Sequence, residues 1–314
     1  MIRPKDAKDA QRLEQALLTY SKSVQPLVGI QDPSARRALI AQMLESIRRV
    51  NYVSVMRGRH ISPRRANPDE EIFDPLKAAV LTQKAGNHDE ACWLVFLFVH
   101  FGKHNKGGWR YVREVYGQLG AGKRWDWASV SADPSAFRAW LHKNRAAIQR
   151  KDAPGGFGNH RKRESLDATS AKGTGATVET YVKWIAPPRT HKELFEQAIS
   201  DAKGEPRVAF DILYSSMSAV MRFGRTARFD YLTMIGKLGL AEIVPGSTYM
   251  EGATGPADGA RLLFGGSNKA DISRKSLNQR LVDLDSHLHV GMQVLEDALC
   301  NWQKSPGQFK RFRG

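Results

Sequence analysis

The stretch EGATGPADGARLLFGG, residues 251–266, holds five glycines and a proline, yet within it ARLLF reads as helix. Glycine reaches positive φ without a steric penalty, so such a cluster marks a sharp turn. A helix that starts just after the turn presents unpaired N–H groups suited to an anion. STYMEG reads as a short helix, ATG as a tight turn and PADGARLLFG as a second helix, a helix–hairpin–helix over 245–266. A Walker A loop is excluded because Gly-Lys-Ser/Thr is missing, and a dinucleotide fingerprint because no strand precedes the glycines. The reading is a hairpin whose backbone amides hold a DNA phosphate, with Gly252, Gly255 and Gly259 at the contact. A purely structural helix–helix turn is the alternative.

The surrounding chain is helical in pattern, and no region sustains an alternation of period two. DAQRLEQALLTYSKSV ends at Pro26, and Asp32-Pro33 opens the next amphipathic run as N-cap and first helical residue. NHDEACWLVFLFVHFG is apolar almost all round and belongs in the centre of a core. Four segments are expected: N-terminal helices over 1–60; the first half of a helical core over 61–154; a flexible basic loop over 155–177, rich in Gly, Ser and Thr; and a second half over 178–314. SRKSLNQRLVDLDSHLHVGMQVLEDALCNWQKS is one long helix or a broken pair.

The formal net charge is +16, and 41% of the 314 residues are hydrophobic. Residues 101–163 carry 14 Lys and Arg against four acids, interleaved with Trp109, Tyr111, Trp125, Trp127 and Trp140. Charge of this kind recruits a polyanion by counterion release, and aromatic interleaving suits nucleic acid. Cys92 and Cys300 are the only cysteines. That excludes a four-cysteine zinc or iron–sulfur site and fits buried thiols in a reducing, cytoplasmic setting. The first residues lack an apolar signal region, and ACWLVFLFVHF is too short to span a bilayer.

GATGPADGARLLF resembles the helix–hairpin–helix of the DNA glycosylase superfamily, with one extra residue between the glycines. RFDYLTMIGKLGLAEIVPGSTYMEGATGPADGARLLFGG, NHDEACWLVFLFVHFGKH and VGMQVLEDALCNWQKSP resemble the α-glutamyl/putrescinyl thymine pyrophosphorylase family, over roughly residues 40–314. That family is tied to hypermodified pyrimidines in phage DNA and is thought to share the glycosylase fold. The resemblance implies an all-α, glycosylase-like helical architecture and a double-stranded DNA partner with modified bases. The activity expected first is monofunctional excision of a bulky modified pyrimidine as anti-phage defence. The second is the family's named reaction, in which an amine displaces pyrophosphate from a hydroxymethyl pyrimidine; a non-catalytic DNA-binding module is the third.

Base removal needs a carboxylate beside a cationic sugar. In the superfamily an Asp follows the hairpin, and the candidates here are Asp285 in VDLDSHLHV, Asp271 placed like a helix N-cap, and Asp297 in an apolar run. Asp89, or Glu90 beside it, is the candidate base at the start of the apolar helix, where Asn87 or His88 would cap. The lyase Lys of bifunctional relatives is replaced by Ala257, so no strand cleavage is expected. Lys103, His104, Asn105 and Lys106 would wedge into the duplex, and Arg225, Lys237 and the basic C-terminal tail would face phosphates. His100 and His104 lack a third ligand partner, so neither a metal nor a cofactor is expected.

Overall fold

A computed structural model describes residues 2–311. Among them the chain forms fourteen helices and no strand: α1 (Ala7–Ser23), α2 (Pro33–Gly58), α3 (Pro75–Lys84), α4 (His88–Phe101), α5 (Arg110–Tyr116), α6 (Trp127–Ala132), α7 (Pro134–Ile148), α8 (Thr174–Ile185), α9 (His191–Asp201), α10 (Pro206–Ser216), α11 (Arg225–Leu238), α12 (Gly255–Gly265), α13 (Arg274–Leu288) and α14 (Met292–Trp302). The all-α expectation holds. Many starts are written locally. Asp74 with Pro75 caps α3, Asn87 caps α4, Asp133 with Pro134 caps α7, and Thr190 with Glu193 forms a capping box on α9. No helix among the described residues is long and apolar enough to cross a membrane.

The chain divides into two compact units, residues 2–55 with 245–311, and residues 56–244. In the first, the N-terminal helices share one core with the C-terminal ones: Leu13, Leu17, Leu39 and Met43 pack with Ala257, Leu263, Leu277, Leu295 and Trp302. The N-terminal helices, expected as a segment of their own, thus depend on residues more than 200 positions away. In the second unit α4 is the central element, buried from Glu90 to Leu97 and again at Val99–Phe101. Phe96 stacks on Tyr181 at 3.9 Å between ring centroids and on Phe223 at 5.0 Å.

The glycine-rich stretch differs from its sequence reading. No helix forms over 245–254. Tyr249 and Gly252 take positive φ, and the Asn278 side chain accepts from the Met250 N–H at 3.0 Å and the Thr248 hydroxyl at 3.0 Å. A long-range side chain therefore satisfies backbone that a short helix would have satisfied itself. Only α12 is present, and it lies on α14. A Cβ on Gly259 would overlap the Leu299 carbonyl, and one on Gly255 would stand 2.8 Å from Cys300 Sγ. Both glycines serve close helix packing.

The long C-terminal run is a broken pair. His289 at φ 51° and Gly291 at φ 89° separate α13 from α14. The 155–177 stretch holds one short 3-10 helix (Asn159–Arg161), is otherwise irregular up to Gly173 and then enters α8. It is tightly bonded for a loop expected to be flexible: Gly158 N–H donates to the Phe101 carbonyl, Thr174 N–H to Ser165, and Phe157, Arg161, Leu166 and Ala168 are buried.

Candidate nucleic-acid interface

The turn after α4 is built on backbone contact. Gly102 takes φ 62°, and a Cβ there would meet the Gly158 carbonyl oxygen at 2.9 Å; one on Gly107 would stand 2.4 Å from the Pro154 carbonyl oxygen and 2.5 Å from Gly155 Cα. The turn and the 154–158 segment are thus laid side by side, and side chains between them would force them apart. His104 N–H and carbonyl pair with Gly108, while its Nδ1 accepts from the N–H groups of Lys106 (3.2 Å) and Gly107 (2.8 Å). The imidazole therefore braces the turn, and Lys103, Asn105 and Lys106 are exposed at its tip.

From 158 the chain continues through exposed Lys162 and Arg163. Arg222 pairs with Glu164 at 3.0 Å and His160 with Asp230 at 3.2 Å, tying this loop to the start of α11. Arg225 on that first turn lies over the Phe229 ring at 5.2 Å. The second unit so carries a basic edge from three segments, of the kind that contacts a phosphate backbone. Arg161 is buried beneath it, with Nε and Nη2 lacking partners among the described residues, and burial holds its pKa below the ordinary value. Arg228 donates to the Tyr214 carbonyl at 3.1 Å and lies over that ring. Lys237 is half-buried, and its carbonyl accepts from Arg57.

The tryptophans of the basic region rest against other aromatic rings. Trp127 is 8% exposed, Trp109 packs on Phe98 at 5.2 Å, and Trp125 sits between Phe137 and Trp140. His100 is buried and bonded to Thr174 Oγ1 at 3.0 Å, and burial lowers its pKa to about 3. Among the described residues no three His, Cys, Asp or Glu converge as metal ligands.

The four aspartates meet different fates. Asp297 is held by Ser46 Oγ at 2.5 Å, Arg49 at 2.5 Å and Asn301 Nδ2 at 2.9 Å, a network locking α14 to α2. Asp285 accepts from the N–H groups of Val290 (2.9 Å) and Gly291 (2.8 Å) and closes the α13–α14 turn. Asp271 is exposed and is not a cap, since Ser273 caps α13. It lines a recess of ≈ 710 Å³ on the first unit.

Asp89 is the best-organised carboxylate. Its Oδ1 accepts from His191 Nδ1 at 2.6 Å and from His191 N–H at 2.7 Å, while about a quarter of the side chain is exposed. Burial opposes ionisation, but these two donors outweigh it and hold the carboxyl below its usual range. His191 is fully buried and its pKa is lowered by that burial. The neutral ring donates from Nδ1 to Asp89, so Nε2 accepts from Tyr181 OH at 2.7 Å, and Tyr181 OH meets Tyr231 OH at 2.9 Å. One carboxylate facing water is thus backed by three buried side chains, with Trp127 4.5 Å from the imidazole. Next to it Glu90 is buried, accepting from Tyr116 OH at 2.6 Å and Trp127 N–H at 2.5 Å. Burial pushes its pKa up to about 7. His191, Tyr181 and Tyr231 escaped the sequence reading. Their spacing from Asp89 in sequence carries no periodic signal.

In the first unit Gly259 is buried within α12, and only Gly252 of the three hairpin glycines is exposed. Of the basic tail, Arg311 pairs with Glu45 at 3.5 Å, and Arg313 lies outside the described residues.

The molecule is thus a helical protein with a strongly basic loop edge and a partly exposed carboxylate, Asp89, braced by a buried imidazole. A family model described as alpha-glutamyl/putrescinyl thymine pyrophosphorylase clade 3 matches residues 34–314, and the chain belongs to this family. No curated protein and no solved structure matches the chain.

Proposed function

We propose that this protein acts on a modified pyrimidine in DNA by exchanging a pyrophosphate on the base's hydroxymethyl carbon for an amine. Family membership across residues 34–314 carries the reading, and it favours this reaction over base excision. The amine nitrogen attacks the methylene carbon, a C–N bond forms, the C–O bond to pyrophosphate breaks, and pyrophosphate departs with the electron pair. The nitrogen then releases a proton to a base. Asp89 is our candidate for that base: it is ionised at neutral pH, and His191 fixes one oxygen while the other remains available. The basic edge of Lys103, Lys106, Lys162, Arg163 and Arg225 would hold the DNA backbone, with the target base extruded. The excision reading leans on Asp285, whose Oδ1 is spent on closing the α13–α14 turn, and on Asp297, which is paired with Arg49 and bonded to Ser46 and Asn301.

The test uses DNA carrying a pyrophosphorylated hydroxymethyl pyrimidine, incubated with and without a primary amine. The expected result is pyrophosphate release that requires the amine, with the amine found on the base by mass spectrometry of the nucleosides. Alkali-labile abasic sites formed without amine would replace this reading with excision. No product of either kind would leave a DNA-binding module.

A further inference from the structure

Arg161 is a buried cation with an empty grip. The residue is 6% exposed, and its Nε and Nη2 have no hydrogen-bond partner among the described residues. Those two nitrogens form one side of the guanidinium, the fork that holds two oxygens of an oxyanion. Buried polar groups are nearly all bonded, and a charge taken out of water without a partner is costly. Arg161 therefore weakens the fold in which it sits.

It sits at the start of α11. Its guanidinium carbon lies 5.8 Å from the centroid of the Phe223 ring, one residue before Gly224. The loop that carries it is tied to the same helix start by Glu164 on Arg222 and His160 on Asp230. Gly224 is the N-cap of α11, a helix of 14 residues, and brings no side chain to the cap. The N–H groups of Thr226 and Ala227 consequently find no acceptor among the described residues, and Ala227 is fully buried. A Cβ on Gly224 would meet nothing within 4 Å, so this side of the turn is open.

Two unmet N–H groups at the positive end of a helix and an unmet guanidinium fork thus share one turn, and an oxyanion satisfies both. The nearby acids are engaged elsewhere: both oxygens of Glu164 accept from Arg222, and Asp230 faces His160. Lys162 and Arg163 are exposed at the next two positions of the loop. Cations strung along a segment favour a polyanion running past them over an isolated ion.

We propose that Arg161 and the first turn of α11 clamp one backbone phosphate of DNA. The clamp rests on the DNA-acting reading above and gives the diffuse basic edge one fixed point. In the free protein the fork is covered. The two ion pairs that hold the cover are partly exposed, and pairs of this kind contribute little, so a phosphate can displace it.

Binding of a short DNA duplex by the full chain, measured by fluorescence anisotropy at several salt concentrations beside thermal unfolding without DNA, tests the clamp. Arg161→Met should melt at or a few degrees above wild type, because it removes a buried charge that has no partner. It should bind DNA about tenfold more weakly, with the slope of log affinity against log salt reduced by about 1. Gly224→Ser gives the Thr226 and Ala227 N–H groups a neutral cap; it should melt no lower than wild type and bind DNA several-fold more weakly. Unchanged DNA affinity in either variant, or an Arg161→Met protein melting far below wild type, would overturn the proposal. Inorganic phosphate at the concentration of the DNA should leave the wild-type melting temperature unaltered; an Arg161-dependent rise would assign the turn to a free anion and overturn the DNA clamp. A protein that grips DNA through Arg161 yet releases no pyrophosphate would keep the clamp and remove the proposed reaction. Amine-dependent release with DNA affinity unaltered in both variants would do the reverse.

Discussion

Gly259→Ala separates two roles for the glycine-rich stretch. If the glycine holds α12 against α14, an added methyl must push the helices apart. Built on the present backbone, that methyl overlaps the Leu299 carbonyl oxygen and stands 2.7 Å from its carbon. Carbon–carbon contacts settle near 3.5–4.0 Å, so α14 has to move by about 1 Å. The obstacle is main chain and cannot rotate away, which places the overpacking cost near the upper end of its usual range, about 3 kcal/mol. Alanine's better helix propensity returns about 1 kcal/mol. The net loss is about 2 kcal/mol, or roughly 8 °C in the melting temperature of a core this size. Gly255→Ala faces Cys300 Sγ at 2.8 Å, the end of a side chain, so its loss should be smaller, about 1 kcal/mol. Thermal and guanidinium unfolding followed by circular dichroism, beside DNA affinity at fixed salt, reads both. If Gly259→Ala melts within 1 °C or so of wild type while DNA affinity falls tenfold, the packing argument is refuted and the glycine faces phosphate.

Glu90 gives a pH dependence. Its folded pKa of about 7 lies above the ordinary 4.5, so the protonated group's contribution is complete below pH 4.5 and is lost as pH rises through 7. The full difference is at most about 3 kcal/mol. Glu90→Gln keeps an acceptor for Trp127 N–H and a donor for the Tyr116 oxygen, and should flatten stability between pH 5 and 8; an unchanged slope refutes the assignment. Asp89→Asn should lower amine-dependent pyrophosphate release by about 10²–10⁴-fold with little change in melting temperature, as loss of a base requires; an unaltered rate removes Asp89 from the chemistry. Replacing both Lys103 and Lys106 by Ala should reduce the slope of log affinity against log salt by about 2. Asp297→Ala should cost about 2 kcal/mol of stability through its lost bonds to Ser46, Arg49 and Asn301, and a stable but inactive variant would instead restore it as a catalytic group.

Much of this molecule was legible as sequence, and the failures share a cause. Asn87 as cap of α4 and the central burial of that helix follow from residue type and spacing within one turn or one face. The Asp285 and Asp297 networks were illegible because their partners are backbone groups of a turn and side chains about 250 residues away. The same holds for Asp89, whose meaning comes from His191, 102 positions later. The tryptophans of the basic region mislead in the opposite direction: their charged neighbours suggest exposure, while Trp127 is buried and Trp109 and Trp125 rest on other aromatic rings.

By itself the sequence determined the helical class, the helix starts, the basic character and the family, because each is carried by local pattern, net charge or a long contiguous motif. Tertiary structure decided the rest. The glycines of α12 are packing residues because α14 lies against them. The 248–250 segment is irregular rather than helical, with Asn278 reaching it from α13. Asp89 is braced by a buried imidazole because burial and bond partners are properties of the packed chain, and periodicity along the sequence does not encode them.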